Sequence, residues 1–468
     1  MYGRMRRIHF IGIGGSGMCG LAEVLLNLGY QVSGSDLRHN EATDRLATLG
    51  GRIFEGHAAS NVEGAQVVVF SSAVPNDNVE LQAARQTGVP VISRAEMLAE
   101  LMRMKYGVAV GGTHGKTTTT SMVAAVLARG GLDPTVVVGG RLRALGSHAA
   151  LGRGQFLVAE ADESDGSFLR LAPAITVVTN IDREHLDYYR DLESIQESFI
   201  YFANRVPFYG ASVLCLDDPH VRGILPKITK RTLLYGTRAE AQVRAEAIEL
   251  RAHGSRYDAW SGGDPLGPVE LVVPGRHNVL NSLAAVAVGL ELEVGFAHIQ
   301  EALGEFHGVG RRFETRGEAR GVRWVDDYGH HPTEIEATLA AARGAAPGRV
   351  LVIFQPHRFT RTAALAREFG AAFHDADRVW VLDIYAAGET AIPGVTGATI
   401  AEAAREQGFA HVRHCGDAAS AVEEALAEVR AGDLLLTLGA GDVWKLGEQA
   451  MRRLHGADAA AVAARGRE

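Results

Sequence analysis

Apolar residues along this chain fall in short runs, and most runs lead into a glycine turn and then a stretch with helical spacing. Arg7 to Ile13 is such a run. It meets Gly14-Gly15-Ser16-Gly17, after which apolar positions recur at helical spacing from Met18 to Leu28, where Gly29 stops them. Further strands read at Tyr30 to Gly34, Gln66 to Phe70 and Val89 to Ser93, so residues 1–105 are expected to form one parallel α/β unit. The alternation restarts with a strand at Tyr106 to Val110, a glycine turn and a helix from Thr117 to Arg129. Strands follow at Thr135 to Val138, Phe156 to Glu160, Ile175 to Thr179 and Ser212 to Leu216. Residues 230–275 alternate like short antiparallel strands, Val269 to Val273 among them, and Pro274-Gly275 introduces a helix from about Asn278 to Leu290. A third α/β unit has strands at Val322 to Val325, Val350 to Phe354, Val379 to Ile384 and Leu434 to Leu438. The alanine-rich end, Ala457 to Glu468, shows no apolar face and is expected to fray.

The pattern predicts an α/β protein of three domains, 1–105, 106–310 and 311–468, which agrees with 468 residues at about 150 per domain. Composition narrows the function classes. A net charge of −8 offers no global basic surface, so no nucleic-acid partner is expected. No run approaches the ~18 apolar residues of a spanning helix, so no membrane insertion is expected. Arg4, Arg6 and Arg7 before an apolar run mimic a secretory signal, but glycines from Gly12 onward interrupt it. Cys19, Cys215 and Cys415 are too scattered for a disulfide scaffold or a cysteine zinc site, and a reducing cytoplasm fits them. Lysine is scarce: Lys105, Lys116, Lys227, Lys230 and Lys445 are all there are.

Gly12-Ile13-Gly14-Gly15-Ser16-Gly17 satisfies G-x-G-x-x-G between a strand and a helix, where backbone N–H groups and a helix N-terminus can hold a diphosphate. Asp36 follows Gly12 by 24 residues, near the ~20 of a ribose-binding acid, so a nicotinamide oxidoreductase stays open here. A glycine turn that only packs helix on strand is the plainer alternative. The sharper signal is Gly111-Gly112-Thr113-His114-Gly115-Lys116-Thr117. It departs from G-x-x-x-x-G-K-[ST], because Val110 stands at the first glycine, yet it keeps the parts that wrap phosphates: glycines, a lysine at the helix start and a hydroxyl for Mg²⁺.

A nucleotide triphosphatase also needs a metal-holding acid at a nearby strand end. The run Phe156 to Ala159 ends in Glu160-Ala161-Asp162-Glu163-Ser164-Asp165, which makes Glu160 or Asp162 the candidate, with a solvated acidic loop as the alternative. The next strand ends in Thr179-Asn180-Ile181-Asp182-Arg183-Glu184-His185, whose histidine is either structural or a second metal or phosphate contact. Asp326-Asp327-Tyr328-Gly329-His330-His331-Pro332 and Gln355-Pro356-His357-Arg358-Phe359-Thr360-Arg361 each follow a strand. They suit a carboxylate, a phosphate or interdomain salt bridges.

In order, and over nearly the whole chain, these motifs resemble those of the Mur ligases of peptidoglycan synthesis. Gly112 to Thr117 looks like their shortened ATP loop. The Gly12 turn, Glu160 to Asp165, Pro274-Gly275-Arg276-His277-Asn278, Gly310-Arg311-Arg312-Phe313, Asp326 to Pro332 and Gln355 to Arg361 are similar to the alanine-adding branch. The resemblance implies a three-domain Mur ligase architecture: an N-terminal Rossmann-like UDP-binding domain, a central P-loop ATPase domain and a C-terminal Rossmann-like domain that binds the amino acid. It implies ATP as cosubstrate at Gly112, Thr113, His114, Gly115, Lys116, Thr117 and Thr118, with Asn278 and Asn281 at the adenine and Arg312 and Asp327 reaching phosphate and ribose. Two Mg²⁺ ions, replaceable by Mn²⁺, would be held by Thr117, Glu160 and His185. Gly14, Gly15, Ser16, Gly17, Ser35, Asp36, Ser71 and Ser72 would cradle UDP. His330, His357, Arg358 and Arg361 would flank the sugar carboxylate and the incoming amino acid, with Lys116, His185, His330 and Arg358 as the catalytic set.

The implied reaction joins L-alanine to the lactyl carboxylate of UDP-N-acetylmuramate through an acyl phosphate, in a cytoplasmic monomer or homodimer. Many relatives place a metal with a carbamylated lysine. Here no lysine lies between Lys116 and Lys227, so no carbamate can form in that stretch. Three other readings remain: a ligase that attaches a recycled tripeptide to the same sugar, an NAD(P)-dependent oxidoreductase, and an ATP-regulated binding protein. The oxidoreductase leaves Lys116, Glu160 and His185 unexplained.

Overall fold

Five short apolar runs, β1 (Arg7–Ile11), β2 (Gln31–Asp36), β3 (Arg52–Glu55), β4 (Val67–Phe70) and β5 (Val91–Ser93), pair only in parallel, in the order 3-2-1-4-5. The order reverses between β1 and β4, so the Gly12 turn and Ser71 leave the sheet at its switch point, where open α/β sheets bind ligands. The computed structural model describes residues 6–71, 73–142, 147–186 and 188–465.

The second sheet has ten strands: β6 (Tyr106–Gly111), β7 (Thr135–Leu142), β8 (Ser147–Ala150), β9 (Phe156–Glu160), β10 (Ile175–Val178), β11 (Ala211–Cys215), β12 (Thr232–Gly236), β13 (Val243–Arg251), β14 (Gly254–Ser261) and β15 (Asp264–Leu271). Their order is 15-14-13-12-11-10-6-9-7-8. β6 lies between β9 and β10, in parallel with both. The glycine loop, the acidic run and the histidine run therefore leave three neighbouring strands at the same edge. The helix Lys116–Arg129 packs on the helix Arg276–Glu291 behind this sheet, through Met122, Val126, Leu283 and Val286.

The third sheet, β16 (Glu314–Ala319), β17 (Val322–Asp327), β18 (Val350–Phe354), β19 (Arg378–Val381), β20 (Val412–His414) and β21 (Leu434–Leu438), has the order 16-17-21-18-19-20. Only β16 runs antiparallel.

Met18, Leu21 and Leu25 of the helix Ser16–Asn27 share one apolar core with Val137 and Ala149 of the second sheet, so the first two units are packed together. Burying side chains of this size contributes roughly 1.5–3 kcal/mol each. Strands β3 and β20 are short edge strands that the apolar pattern did not announce, having few residues and partly exposed faces. The alanine-rich segment is helical as far as Arg465, as part of the helix Trp444–Arg465, in keeping with alanine's helix propensity. No helix among the described residues is long and apolar enough to cross a membrane.

Candidate active site at the domain junction

Two glycines shape the loop after β6. At Gly112 (φ +130°) a Cβ would lie 2.0 Å from Thr179 Oγ1, and at Gly115 (φ +81°) it would lie 2.7 Å from Asn281 Oδ1. The loop after β10 pins the glycine loop from the side. His114 N–H donates to Asn180 Oδ1 at 2.8 Å, Thr179 Oγ1 donates to the His114 carbonyl at 2.6 Å, and Asp182 N–H donates to Thr113 Oγ1 at 2.9 Å. Bonds within the protein thus set the curvature of the loop.

Lys116 begins the following helix, and its ammonium donates to the carbonyls of Gly112 (2.7 Å) and Thr113 (2.9 Å) and to Glu163 Oε1 (3.0 Å). Burial pushes the Glu163 carboxyl up to about 7, against the pull of Lys116. Glu160 ends β9 opposite Val110 of β6, at the entrance of the loop. Asp162 Oδ2 accepts from Arg94 of the N-terminal unit at 3.3 Å. His185 takes φ +53°, and its Nε2 lies 3.8 Å from Glu163 Oε1. Burial lowers its pKa. Three carboxylates, Glu160, Asp162 and Glu163, act electrostatically on Lys116. With the Thr117 hydroxyl beside the loop, that oxygen-rich set fits a hard dication such as Mg²⁺.

A cavity of about 440 Å³ opens beside the loop, lined among others by Gly115, Thr118, Asn278, Asn281, Arg312 and Asp327. Asn281 accepts from Thr119 Oγ1 at 3.1 Å and donates to Asn278 Oδ1 at 3.2 Å, so the two asparagines form one polar wall. Arg312 enters from the C-terminal unit, over the Tyr328 ring at 5.1 Å and 3.3 Å from Glu334 Oε1. Burial pushes the Asp327 carboxyl up to about 6, although the N–H groups of Phe313 and Gly329 each donate to it at 2.7 Å.

The loops after β17 and β18 meet each other through two histidines. The His330 and His357 rings stand 5.5 Å apart, and His357 stacks on Tyr385, also at 5.5 Å. Burial lowers the pKa of His330 to about 3 and that of His357 to about 4. Arg358 adopts φ +70°, with its guanidinium 3.8 Å from Glu389. Arg361 is buried between the two units: it is bonded to Glu184 of the central unit, and its Nη1 donates to the His357 carbonyl at 2.9 Å and lies 3.3 Å from His357 Nδ1.

At the first glycine turn, Gly14 N–H donates to Asp36 Oδ2 at 2.8 Å, while Leu37 N–H donates to Oδ1 at 2.8 Å. Each oxygen thus accepts one bond within the turn and keeps a further lone pair. The Ser35 hydroxyl faces inward and donates to buried Glu80 at 2.5 Å. Ser71 Oγ accepts from Ala73 N–H at 3.3 Å. Arg94 lies against Gly17, where a Cβ would be 3.0 Å from its Cδ and Nη1. Ser72 and the Ser16 side chain lie outside the described residues.

Three family models match in the same order as the three sheets: the Mur ligase family catalytic domain over residues 7–106, the Mur ligase middle domain over 110–289, and the Mur ligase glutamate ligase domain over 311–441. The chain belongs to the Mur ligase family. A UDP-N-acetylmuramate–L-alanine ligase of Geobacter sp. (strain M21) is 57% identical over 98% of this chain and 99% of its own. One from Syntrophotalea carbinolica is 56% identical over 96% and 98%. The crystal structure of UDP-N-acetylmuramate-alanine ligase from Thermotoga maritima superposes with a TM-score of 0.80 at 29% identity, covering 96% of this chain and 99% of that one.

This Mur ligase brings together, at one junction, side chains to which the sequence assigned no separate role. Glu163 joins Lys116 to His185. Glu334 lies near His114, His330 and Arg312 at once. Asp182, Glu184 and His331 also face the junction. One signal was available for Glu334: it stands three residues after His331, at the capping-box position of the helix Pro332–Ala345. The others are set by contacts between distant segments.

Proposed function

We propose that this Mur ligase joins L-alanine to the lactyl carboxylate of UDP-N-acetylmuramate, converting ATP to ADP and phosphate, in the cytoplasmic stage of peptidoglycan synthesis. The observation that carries this reading is that the ATP-type loop meets the acidic segment through Lys116 and Glu163 and the C-terminal domain through His114 and Glu334. Relatives matching nearly end to end supply the substrate names. Residues 1–105 are assigned to the UDP-sugar, 106–310 to ATP and 311–468 to the amino acid.

A carboxylate is a poor electrophile and repels the γ-phosphate, so the site must first lower that repulsion. Loop N–H groups from Gly112 to Thr118 and the Lys116 ammonium receive the phosphates, whose oxygens replace the two loop carbonyls and Glu163 as acceptors of Lys116. Bound Mg²⁺, held by Thr117, Glu160 and His185, would screen the anionic oxygens. Asn278 and Asn281 face the base, while Arg312 and Asp327 close over phosphate and ribose. The carboxylate oxygen attacks the γ-phosphorus, ADP leaves, and the acyl phosphate is attacked by the amine of L-alanine. Arg358, His330 and His357 border the carboxylates and the tetrahedral oxyanion. Burial keeps both rings neutral at pH 7, and the His330 Nδ1 proton goes to the Tyr328 carbonyl, so its Nε2 serves as a hydrogen-bond acceptor for the incoming amine. Arg361 supports His357 directly and ties it to Glu184 of the central domain.

Purified protein with Mg²⁺-ATP should release phosphate only when UDP-N-acetylmuramate and an amino acid are both present, with L-alanine preferred over glycine, L-serine and the tripeptide. Release without the sugar nucleotide, or no amide product, overturns the reading. Preference for the tripeptide transfers it to the recycling ligase.

A further inference from the structure

We infer that His114, Asp182 and His331 form a site for one transition-metal dication of the zinc class, at the seam between the central and C-terminal domains. This goes beyond the ligase reaction and its hard-cation site. One ligand atom from each of the three residues lies within 4.8 Å of the others. His114 Nε2 is 3.0 Å, and His331 Nδ1 3.6 Å, from the same oxygen, Asp182 Oδ2. Tetrahedral zinc with ligands at about 2.1 Å holds them roughly 3.4 Å apart, so small rotations suffice.

The hydrogen bonds behind the rings carry the argument further. His331 Nε2 lies 3.2 Å from the Arg183 carbonyl, which can only accept, and Thr333 N–H points to His331 Nδ1 at 3.4 Å. Both contacts put the ring proton on Nε2, and the Nδ1 lone pair accepts the long cap bond from Thr333, so an ion at Nδ1 takes the place of that bond. The far nitrogen of His114, Nδ1, lies 3.5 Å from Glu334 Oε1. Metal-binding histidines are oriented in this way, with the outer nitrogen against a carbonyl or a carboxylate. The Thr333 hydroxyl donates to Asp182 Oδ2 at 2.6 Å and completes the outer shell. His114, Asp182 and Thr333 line the cavity, which leaves the fourth position to water or a phosphate oxygen.

Two imidazoles and one carboxylate suit Zn²⁺ or Co²⁺ better than Mg²⁺. His114 belongs to the ATP loop and His331 caps the helix Pro332–Ala345, so an ion here ties the loop to the C-terminal domain and restrains its release. Micromolar Zn²⁺ is therefore expected to inhibit turnover in the presence of millimolar Mg²⁺.

Titration of the full chain with Co²⁺ in Mg²⁺ buffer tests the site directly. One equivalent should produce the visible absorption of tetrahedral Co²⁺, without a thiolate band, and Zn²⁺ should displace it. His331→Gln and Asp182→Asn should each weaken binding at least tenfold. Circular dichroism checks that the variants fold. Wild-type crystals grown with Zn²⁺ give a second measure, an anomalous peak between the three side chains. A peak only elsewhere, a thiolate band, no binding at micromolar metal, or affinity unchanged in His331→Gln overturns the inference.

Discussion

Arg361 of the C-terminal domain presents its Nε to both oxygens of the Glu184 carboxylate in the central domain, at 2.9 and 3.1 Å, and both side chains are buried. Burial alone would raise the Glu184 pKa, but the adjoining guanidinium holds it well below the usual carboxylate range. The pair joins residues 177 positions apart and acts as a clamp between two domains. Arg361→Met strands a buried charge and should cost about 3–5 kcal/mol in denaturant unfolding. Arg361→Met with Glu184→Leu should cost clearly less than the two single changes added together, and simple additivity would remove the clamp.

Lys116→Ala should abolish phosphate release and leave UDP-N-acetylmuramate binding by calorimetry within about twofold, because the glycine turn proposed for the sugar nucleotide lies in another domain. Equal loss of both would contradict that separation.

Gly115→Ala introduces a Cβ at φ +81° and 2.7 Å from Asn281 Oδ1. The left-handed conformation alone costs roughly 1–2 kcal/mol, and the contact adds to it. ATP affinity should fall at least tenfold while sugar-nucleotide affinity is unchanged, as read by calorimetry with each nucleotide.

Glu80 predicts a pH dependence in the N-terminal domain. The carboxylate is fully buried, which raises its pKa. Hydrogen bonds from His9, Ser35 and Asn61, with the charge of His9, outweigh burial and bring it down from 4.5 to about 2. A depressed carboxylate contributes stability above its unfolded pKa and loses it as pH falls through the folded one. The contribution, roughly 3 kcal/mol, should be complete above about pH 5 and disappear towards pH 2. Melting temperature against pH should show this decline for the wild type and a shallower one for Glu80→Gln. Parallel curves would exclude Glu80 as the source.

Much of the architecture was legible because its causes are local. Strand–glycine turn–helix units announce themselves at Gly14 and at Gly112 to Lys116, since a positive φ and a close backbone approach demand glycine at particular positions. The strand ends at Glu160 and Asp327 were legible from apolar runs that stop at an acid. Asp36 and Ser35 show where such reading stops. Spacing did not announce that Asp36 is bonded to its own turn, nor that the Ser35 hydroxyl faces Glu80, 45 residues away.

The sequence alone determined the three α/β units, the turns that can wrap phosphates and the family, because backbone conformation and strand periodicity depend on neighbours a few residues apart. Only the tertiary structure decided the partner of each charge: Lys116 with Glu163, Arg361 with Glu184, His114 between Asp182 and Glu334. The physical reason is that a buried ion's free energy depends on what stands within about 4 Å of it and on how much water is excluded. Both quantities are set by segments that meet only when the domains pack.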